Sequence, residues 1–261
     1  MSDKPVVLVT GASSGIGKLT AELFTQNGYQ VFGTSRTPGE SSMLKLDVTQ
    51  PESISACVEH VIQQAGRIDV LVNNAGLAHI SMIEETHAEA FMPVYETNLF
   101  GMVRMTQAVL PYMRVQKSGH IIGVGSLGAR VALPGTGHYA ATKSALVSIY
   151  GALRYEVKPF NIKVAVVEPG RFASEMSAHA IKTQQAVDVY DSLRNKMLSM
   201  DLELEAKAPQ PHAVAAKILK IARTKNPRFR YLAGNDAYVV NLIHNLLPYG
   251  MFERIVQRMF S

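Results

Sequence analysis

Short apolar runs recur along this chain, each halted by glycine or polar residues and separated by amphipathic stretches. Pro5–Thr10 is β-branched throughout its centre and stops at glycine, which reads as a buried strand. Gln30–Thr34, Met43–Leu46, Val70–Val72, His120–Val124, Lys163–Val167 and Arg228–Ala233 repeat the pattern. Between them the apolar residues fall at helical spacing. Lys18–Asn27 places Leu19, Leu23 and Phe24 on one face with Gly28 as its stop, and a second helix starts at Pro51-Glu52 and runs to Ala65-Gly66. Further helices are expected over Glu89–Gln116, Tyr139–Lys158 and Pro211–Arg223. Strand alternating with helix predicts an α/β domain.

Two interruptions stand out within the periodic stretches. Asn98 sits mid-helix, where asparagine is unfavourable unless its side chain finds a partner such as water or a backbone carbonyl. Gly101 predicts close approach of another element. From 171 to 208 the β pattern disappears and methionines, among them Met176, Met197 and Met200, become frequent. Methionine adapts to irregular apolar shapes, so this stretch either meets a lipophilic ligand or fills gaps between helices. At the C-terminus, Val239, Val240, Leu242, Ile243, Leu246 and Leu247 precede Pro248, and Met251, Phe252, Ile255, Val256, Met259 and Phe260 follow it. Proline should divide this tail into two helices. Asn241, His244, Glu253, Arg254 and Arg258 make it too polar to span a bilayer. It can cover an apolar pocket, pack on another subunit or make peripheral contact with a membrane.

Composition narrows the picture. The 261 residues are 47% hydrophobic and 18% charged, with no linker or low-complexity run to divide them, so one domain is expected. Met1–Lys4 is polar and Val6–Val9 is too short for a secretory h-region, and no uninterrupted apolar window of about eighteen residues exists. Cys57 is the only cysteine, which excludes an internal disulfide and fits a reducing, cytoplasmic setting. Its place in a helix marks it as a buried, inert thiol. The formal charge of +5 is dispersed and suits an anionic cofactor. The basic cluster Lys217, Lys220, Arg223, Lys225, Arg228 and Arg230 reads as a solvated face, so no nucleic-acid partner is expected. The histidines show no metal-ligand spacing, and no metal is expected. His138 reads as a pocket-rim residue or a cap.

The chemistry concentrates where strands end. Thr10-Gly11-Ala12-Ser13-Ser14-Gly15-Ile16-Gly17 lies between a strand and a helix, where glycines let backbone approach a pyrophosphate that rests on the helix N-terminus. The second strand ends in Ser35-Arg36 with no carboxylate. A cation there accommodates a 2′-phosphate, so NADP(H) is the expected cofactor. Asp47, ending the third strand, can accept from an adenine amino group or cap the next turn. Asn73-Asn74-Ala75-Gly76 can tie neighbouring strands or leave room for a ribose, and Asn74 is placed in the cofactor wall. Ser126 follows the fifth strand directly. Tyr139 and Lys143 are one helical turn apart and share a face, setting a phenol beside an ammonium. A free tyrosine titrates near pH ~10, and an adjacent cation is expected to lower that and make Tyr139 a usable acid or base.

Together these residues, with Asn98 and Pro169-Gly170, resemble the short-chain dehydrogenase/reductase family in order and near spacing, over about residues 5 to 235. The resemblance implies a three-layer doubly wound Rossmann fold with a parallel seven-stranded sheet. It also implies a helical substrate lid over 171–208 and a helical extension over 235–261. Ser126 would donate to the substrate oxygen, Tyr139 would protonate it, Lys143 would hold the nicotinamide ribose and Asn98 would anchor a water. Gly11, Ser13, Ser14, Gly15, Ile16, Gly17, Arg36, Asp47, Val48, Asn74, Ala75, Gly76, Pro169, Gly170, Phe172 and Ser174, with Tyr139 and Lys143, would contact the cofactor. Ser174 stands where the family usually has threonine, and Ser14 where many NADP-preferring members carry a second basic residue. The expected activity is NADPH-dependent reduction of a lipophilic, steroid- or lipid-like ketone or aldehyde, reversible toward the alcohol, by a homodimer or homotetramer. A nucleotide-sensing regulator and a sugar-nucleotide epimerase or dehydratase are the alternatives on the same scaffold.

Overall fold

The computed structural model describes residues 4–38, 42–174, 176, 180–182 and 185–260. Parts of the expected lid (175, 177–179 and 183–184), the first three residues and Ser261 lie outside the described residues.

The apolar runs form a parallel sheet of seven strands, in the order β3-β2-β1-β4-β6-β7-β9. These are β1 (Val6–Val9), β2 (Gln30–Ser35), β3 (Leu44–Lys45), β4 (Val70–Asn73), β6 (Gly119–Val124), β7 (Ile162–Pro169) and β9 (Arg230–Ala233). A further parallel pair, β5 (His79–Ile80) with β8 (Ile181–Lys182), stands apart from the sheet. Because parallel strands are covered on both faces, alternate residues of one strand enter different cores. Val6 and Leu8 of β1 join one apolar cluster, while Val7 and Val9 join the other. The first cluster takes side chains from α2 (Pro51–Ala65), α4 (Met102–Gln116) and α5 (Gly137–Glu156); the second takes Phe24 of α1 (Gly15–Gln26) and Val214, Ile218 and Ile221 of α7 (His212–Ala222). This is the expected doubly wound, three-layer α/β fold.

The helix expected over 89–116 contains a turn of π-helix. α3 (Ala88–Tyr95) passes through π-helical Glu96–Gly101 into α4. The close packing expected at Gly101 is present: a Cβ there would lie 2.7 Å from Val48 Cγ2. Asn98, in the π turn, found the backbone partner that its polarity requires. Its Oδ1 accepts from Leu77 N at 2.7 Å and its Nδ2 donates to Leu77 O at 2.9 Å.

Among the described residues after β7, the stretch expected to form a helical lid is partly helical. Besides β8 it holds α6 (Asp191–Ala206), and Pro248 separates α8 (Asn235–Leu246) from α9 (Tyr249–Phe260) as expected. No helix among the described residues is long and apolar enough to cross a membrane.

Candidate active site

The chain leaves β1 toward one side of the sheet and β4 toward the other, so a crevice opens beyond their carboxyl ends, where open α/β sheets bind ligands. Gly11 and Gly15 both take left-handed φ, 65° and 52°, which glycine adopts without strain. Gly17 cannot carry a side chain, since a Cβ would come within 2.1 Å of Gly11 O. At Gly15 the same construction meets nothing within 4 Å. No side chain caps the N-terminus of α1 and its first turn has no acid. An uncapped helix end facing open space beside a glycine turn fits a dinucleotide pyrophosphate. Gly11, Ser13, Ser14, Gly15, Ile16 and Gly17 are the residues that would hold it.

The crevice walls are tied together by polar contacts. Asn74 Nδ2 donates to Thr10 O at 3.0 Å and Gly11 O at 2.9 Å, and the Thr10 hydroxyl accepts from the N–H groups of Asn74 and Ala75. Asn74 therefore joins the ends of β1 and β4. Asp47 turns its Oδ1 onto Thr49, at 2.9 Å from the amide and 2.7 Å from the hydroxyl, so of its two readings the turn is the one the structure displays. Arg36 is exposed at the end of β2 and has no ion-pair partner among the described residues.

Ser126, Tyr139 and Lys143 come together beyond β6. Ser126 caps a 3-10 turn, Leu127–Ala129, and its Oγ accepts from Gly128 N at 3.0 Å. The same hydroxyl and the Tyr139 ring both border Gly128, where a Cβ would lie 3.3 Å from Ser126 Oγ and 3.7 Å from the ring's Cε1. Lys143 Nζ lies 5.7 Å from the centroid of the Tyr139 ring and donates to Val124 O at 3.0 Å. Tyr139 sits in the first turn of α5, which begins at Gly137 rather than at the tyrosine. Asn98 reaches this group through Thr142: its Nδ2 is 3.3 Å from the Thr142 hydroxyl, which donates to Tyr139 O at 2.7 Å.

The electrostatics correct one expectation. Burial pushes the Tyr139 phenol above its ordinary value, and the Ser126 hydroxyl only partly opposes this. Lys143 does not lower it as the spacing suggested, because burial without a carboxylate pushes the ammonium itself down to about 8 and its hydrogen bond goes to a carbonyl. A neutral phenol at physiological pH is a proton donor. The group is therefore poised to deliver a proton to an oxygen placed between Ser126 and Tyr139.

Past β7 the expected cofactor residues divide. Gly170 is packed so closely against Asp236 that a Cβ would fall 2.2 Å from its carboxylate. Phe172 is buried in the second core beside Gly234 and lines a cavity of about 510 Å³ with Ala213, Ala216 and Tyr238. Ser174 N donates to Glu205 Oε1 at 3.1 Å, and Arg171 pairs with Asp201 at 2.6 Å, which ties this loop to α6. Met197 fills the space above Gly135, where a Cβ would meet its methyl at 2.1 Å, so this methionine serves helix packing. A smaller cavity of about 230 Å³ adjoins it, lined mainly by Ile80, Met82 and Leu198, with Lys182 and Arg194 at its walls. His138 is no cap: its ring stacks on Phe91 at 4.2 Å, with buried His79 edge-on at 5.5 Å.

Sequence reasoning passed over Glu168. Fully buried, it receives both Arg130 and Arg230. A lone acid directly after the apolar run Val164–Val167 was the available signal.

Comparison with known proteins agrees with this geometry. A family model described as short chain dehydrogenase matches residues 5–185. The 3-ketodihydrosphingosine reductase of Bacteroides thetaiotaomicron is 40% identical over 236 residues, 88% of this chain and 87% of that protein. A short-chain dehydrogenase from Streptomyces avermitilis has a crystal structure 31% identical in sequence, with a TM-score of 0.80 over 98% of each chain. One from Burkholderia phymatum, solved in complex with NAD, is 19% identical with a TM-score of 0.79 over 94% of this chain and 95% of its own, a likeness of fold.

Proposed function

This chain belongs to the short-chain dehydrogenase family of nicotinamide-dependent oxidoreductases, and from that premise we propose that it is an NADPH-dependent reductase of a ketone or aldehyde on a bulky, lipid-like molecule. The carrying observation is the convergence of Ser126, Tyr139 and Lys143 at the carboxyl end of β6. Ser126 donates to the carbonyl oxygen and stabilises its developing charge, and Tyr139 delivers the proton. Lys143 orients the ribose beside them, and Asn98 holds Leu77 and Thr142 so that the tyrosine backbone is fixed. The bound dinucleotide supplies the hydride.

Preference for the phosphorylated cofactor rests on Arg36, a guanidinium with no ion-pair partner among the described residues where a carboxylate would select the ribose hydroxyls. The lipid-like substrate rests on the mainly apolar cavity beside α6 and on the name of the Bacteroides relative, a 3-ketodihydrosphingosine reductase. Residues 171–208 act as the substrate lid and 235–261 as an extension of one domain. Exposed Leu242, Leu246 and Met251 on that extension suit contact with another subunit in a homodimer or homotetramer, or peripheral contact with a lipid surface. A single buried thiol suits the cytoplasm.

The test mixes the protein with NADPH and either 3-ketodihydrosphingosine, a panel of apolar aldehydes and ketones, or aldohexoses, and follows the nicotinamide absorbance. Consumption with the apolar carbonyls and none with the sugars is the expected result. Silence across the apolar panel, or turnover with sugars alone, overturns the reading.

A further inference from the structure

We propose that Glu168, clamped between Arg130 and Arg230, is a positioning residue for Ser126, and that Asn241 carries this control into the C-terminal extension. The inference rests on the reductase reading above, since it concerns the placement of the serine that reading uses.

Glu168 is the penultimate residue of β7, just before Pro169-Gly170, and is fully buried. Its Oε2 accepts from Arg130 Nε at 3.1 Å, Arg130 Nη2 at 2.6 Å and Arg230 Nε at 2.9 Å, while Arg230 Nη2 takes Oε1. Arg130 has one amine left, and it donates to Asn241 Oδ1 at 2.6 Å. One carboxylate thus joins the turn after β6, β7 itself, β9 and α8. A buried carboxylate needs such partners, and guanidinium forks fix direction as well as distance.

Ser126 is held from both sides by this cluster. Downstream, Arg130 closes the 3-10 turn that Ser126 opens: Arg130 N donates to Leu127 O at 2.9 Å and Ala129 N to Ser126 O at 3.0 Å. A shift of the guanidinium is passed through one rigid turn to the serine. Upstream, Gly125 donates its N–H to Val167 O at 2.7 Å, and a Cβ on it would sit 3.5 Å from Glu168 Cγ. The residue before the serine therefore lies flat against the same acid. Asn241 reaches Arg130 from α8, beyond the last strand of the sheet, so the tail bears on the serine without touching it. Among the described residues, the Nε, Nη1 and Nη2 contacts of Arg130 all go to Glu168 and Asn241.

The experiment prepares Arg130→Met, Arg130→Lys and Asn241→Ala, each alone and together with Ser126→Ala. Turnover, NADPH affinity and hydrogen exchange of residues 127–131 are then measured. Arg130→Met is expected to lower kcat about tenfold or more, as small misplacements of a reacting group do, with NADPH affinity held within about twofold. Arg130→Lys should recover little, because an ammonium cannot form the fork. On the Ser126→Ala background the same changes should cost nothing further, the signature of groups acting through one another. Equal losses on both backgrounds would mean a general structural tie and would overturn the proposal. If the wild type turns over no carbonyl, the reductase reading fails by itself, and exchange still decides this one. Amides of 127–131 must exchange about tenfold faster in Arg130→Met and Asn241→Ala while those of 88–95 stay unchanged. Unaltered exchange at 127–131 overturns the positioning role. Should Arg130→Met not fold, the milder Asn241→Ala carries the same two readouts.

Discussion

Lys143, whose ammonium reaches the carboxyl end of β6 from α5, and Glu168 near the carboxyl end of β7 are both buried, 2% and 0% exposed, yet their surroundings are opposite. Glu168 is met by two guanidinium groups. Lys143 is met by one carbonyl and the face of a tyrosine. The first arrangement compensates a buried charge and so fixes the geometry of three strands' ends. The second leaves the charge under-compensated, and the lysine responds by titrating near neutral pH, at about 8. Rigid support thus sits on β7 and poised chemistry on α5, whose lysine reaches the end of the adjacent β6. An ammonium kept partly desolvated is costly to stability but is the state in which it can be displaced toward a ribose hydroxyl.

The contrast predicts stability changes of opposite sign. Glu168→Gln removes the shared partner of two arginines and should destabilise by about 3–5 kcal/mol, as breaking a buried pair does. Denaturant unfolding with an unchanged slope would measure it. Lys143→Met should instead raise stability at neutral pH, by up to about 3 kcal/mol, the equivalent of its lowered pKa. Because the folded state holds this proton less tightly than the unfolded chain, wild-type stability should climb as pH rises from about 8 toward the ordinary lysine value of 10.5. Lys143→Met should abolish that climb while also abolishing turnover. A smaller effect is expected at the crevice mouth. Arg36→Asp should weaken NADPH by about 1.5–3 kcal/mol, the worth of charge-assisted hydrogen bonds, and move preference toward NADH. An unchanged ratio of kcat/KM values for the two cofactors would remove Arg36 from the site.

The sheet was legible in the sequence because its strands are buried on both faces and read as apolar runs between glycines. The glycine turn was legible because strand, turn and helix had to occur in that order. Pair β5–β8 was not, since neither His79–Ile80 nor Ile181–Lys182 lies in an apolar run that marks a strand. The π turn at Glu96–Gly101 was also hidden, because hydrophobic spacing barely changes over one widened turn. The juxtaposition of Tyr139 and Lys143 followed from helical spacing alone. The direction of the tyrosine shift did not, because spacing carries no information on desolvation, and burial outweighs the hydroxyl contact. Asp47 and Asn74 show another limit: each residue type suits both a ligand contact and a backbone tie, and only coordinates show the ties they make. Glu168 was visible as an acid directly after an apolar run, but its partners come from positions 130 and 230, separations that no local pattern connects.

The claim on which the rest depends is that the phenol of Tyr139 gives its proton to the substrate oxygen. Single-turnover reduction of 3-ketodihydrosphingosine at saturating NADPH, wild type against Tyr139→Phe, tests it most directly. The expected loss is about 10²–10⁴-fold, the range of general acid catalysis, with NADPH affinity held within about twofold. A phenylalanine variant that turns over within about threefold of the wild type would contradict it.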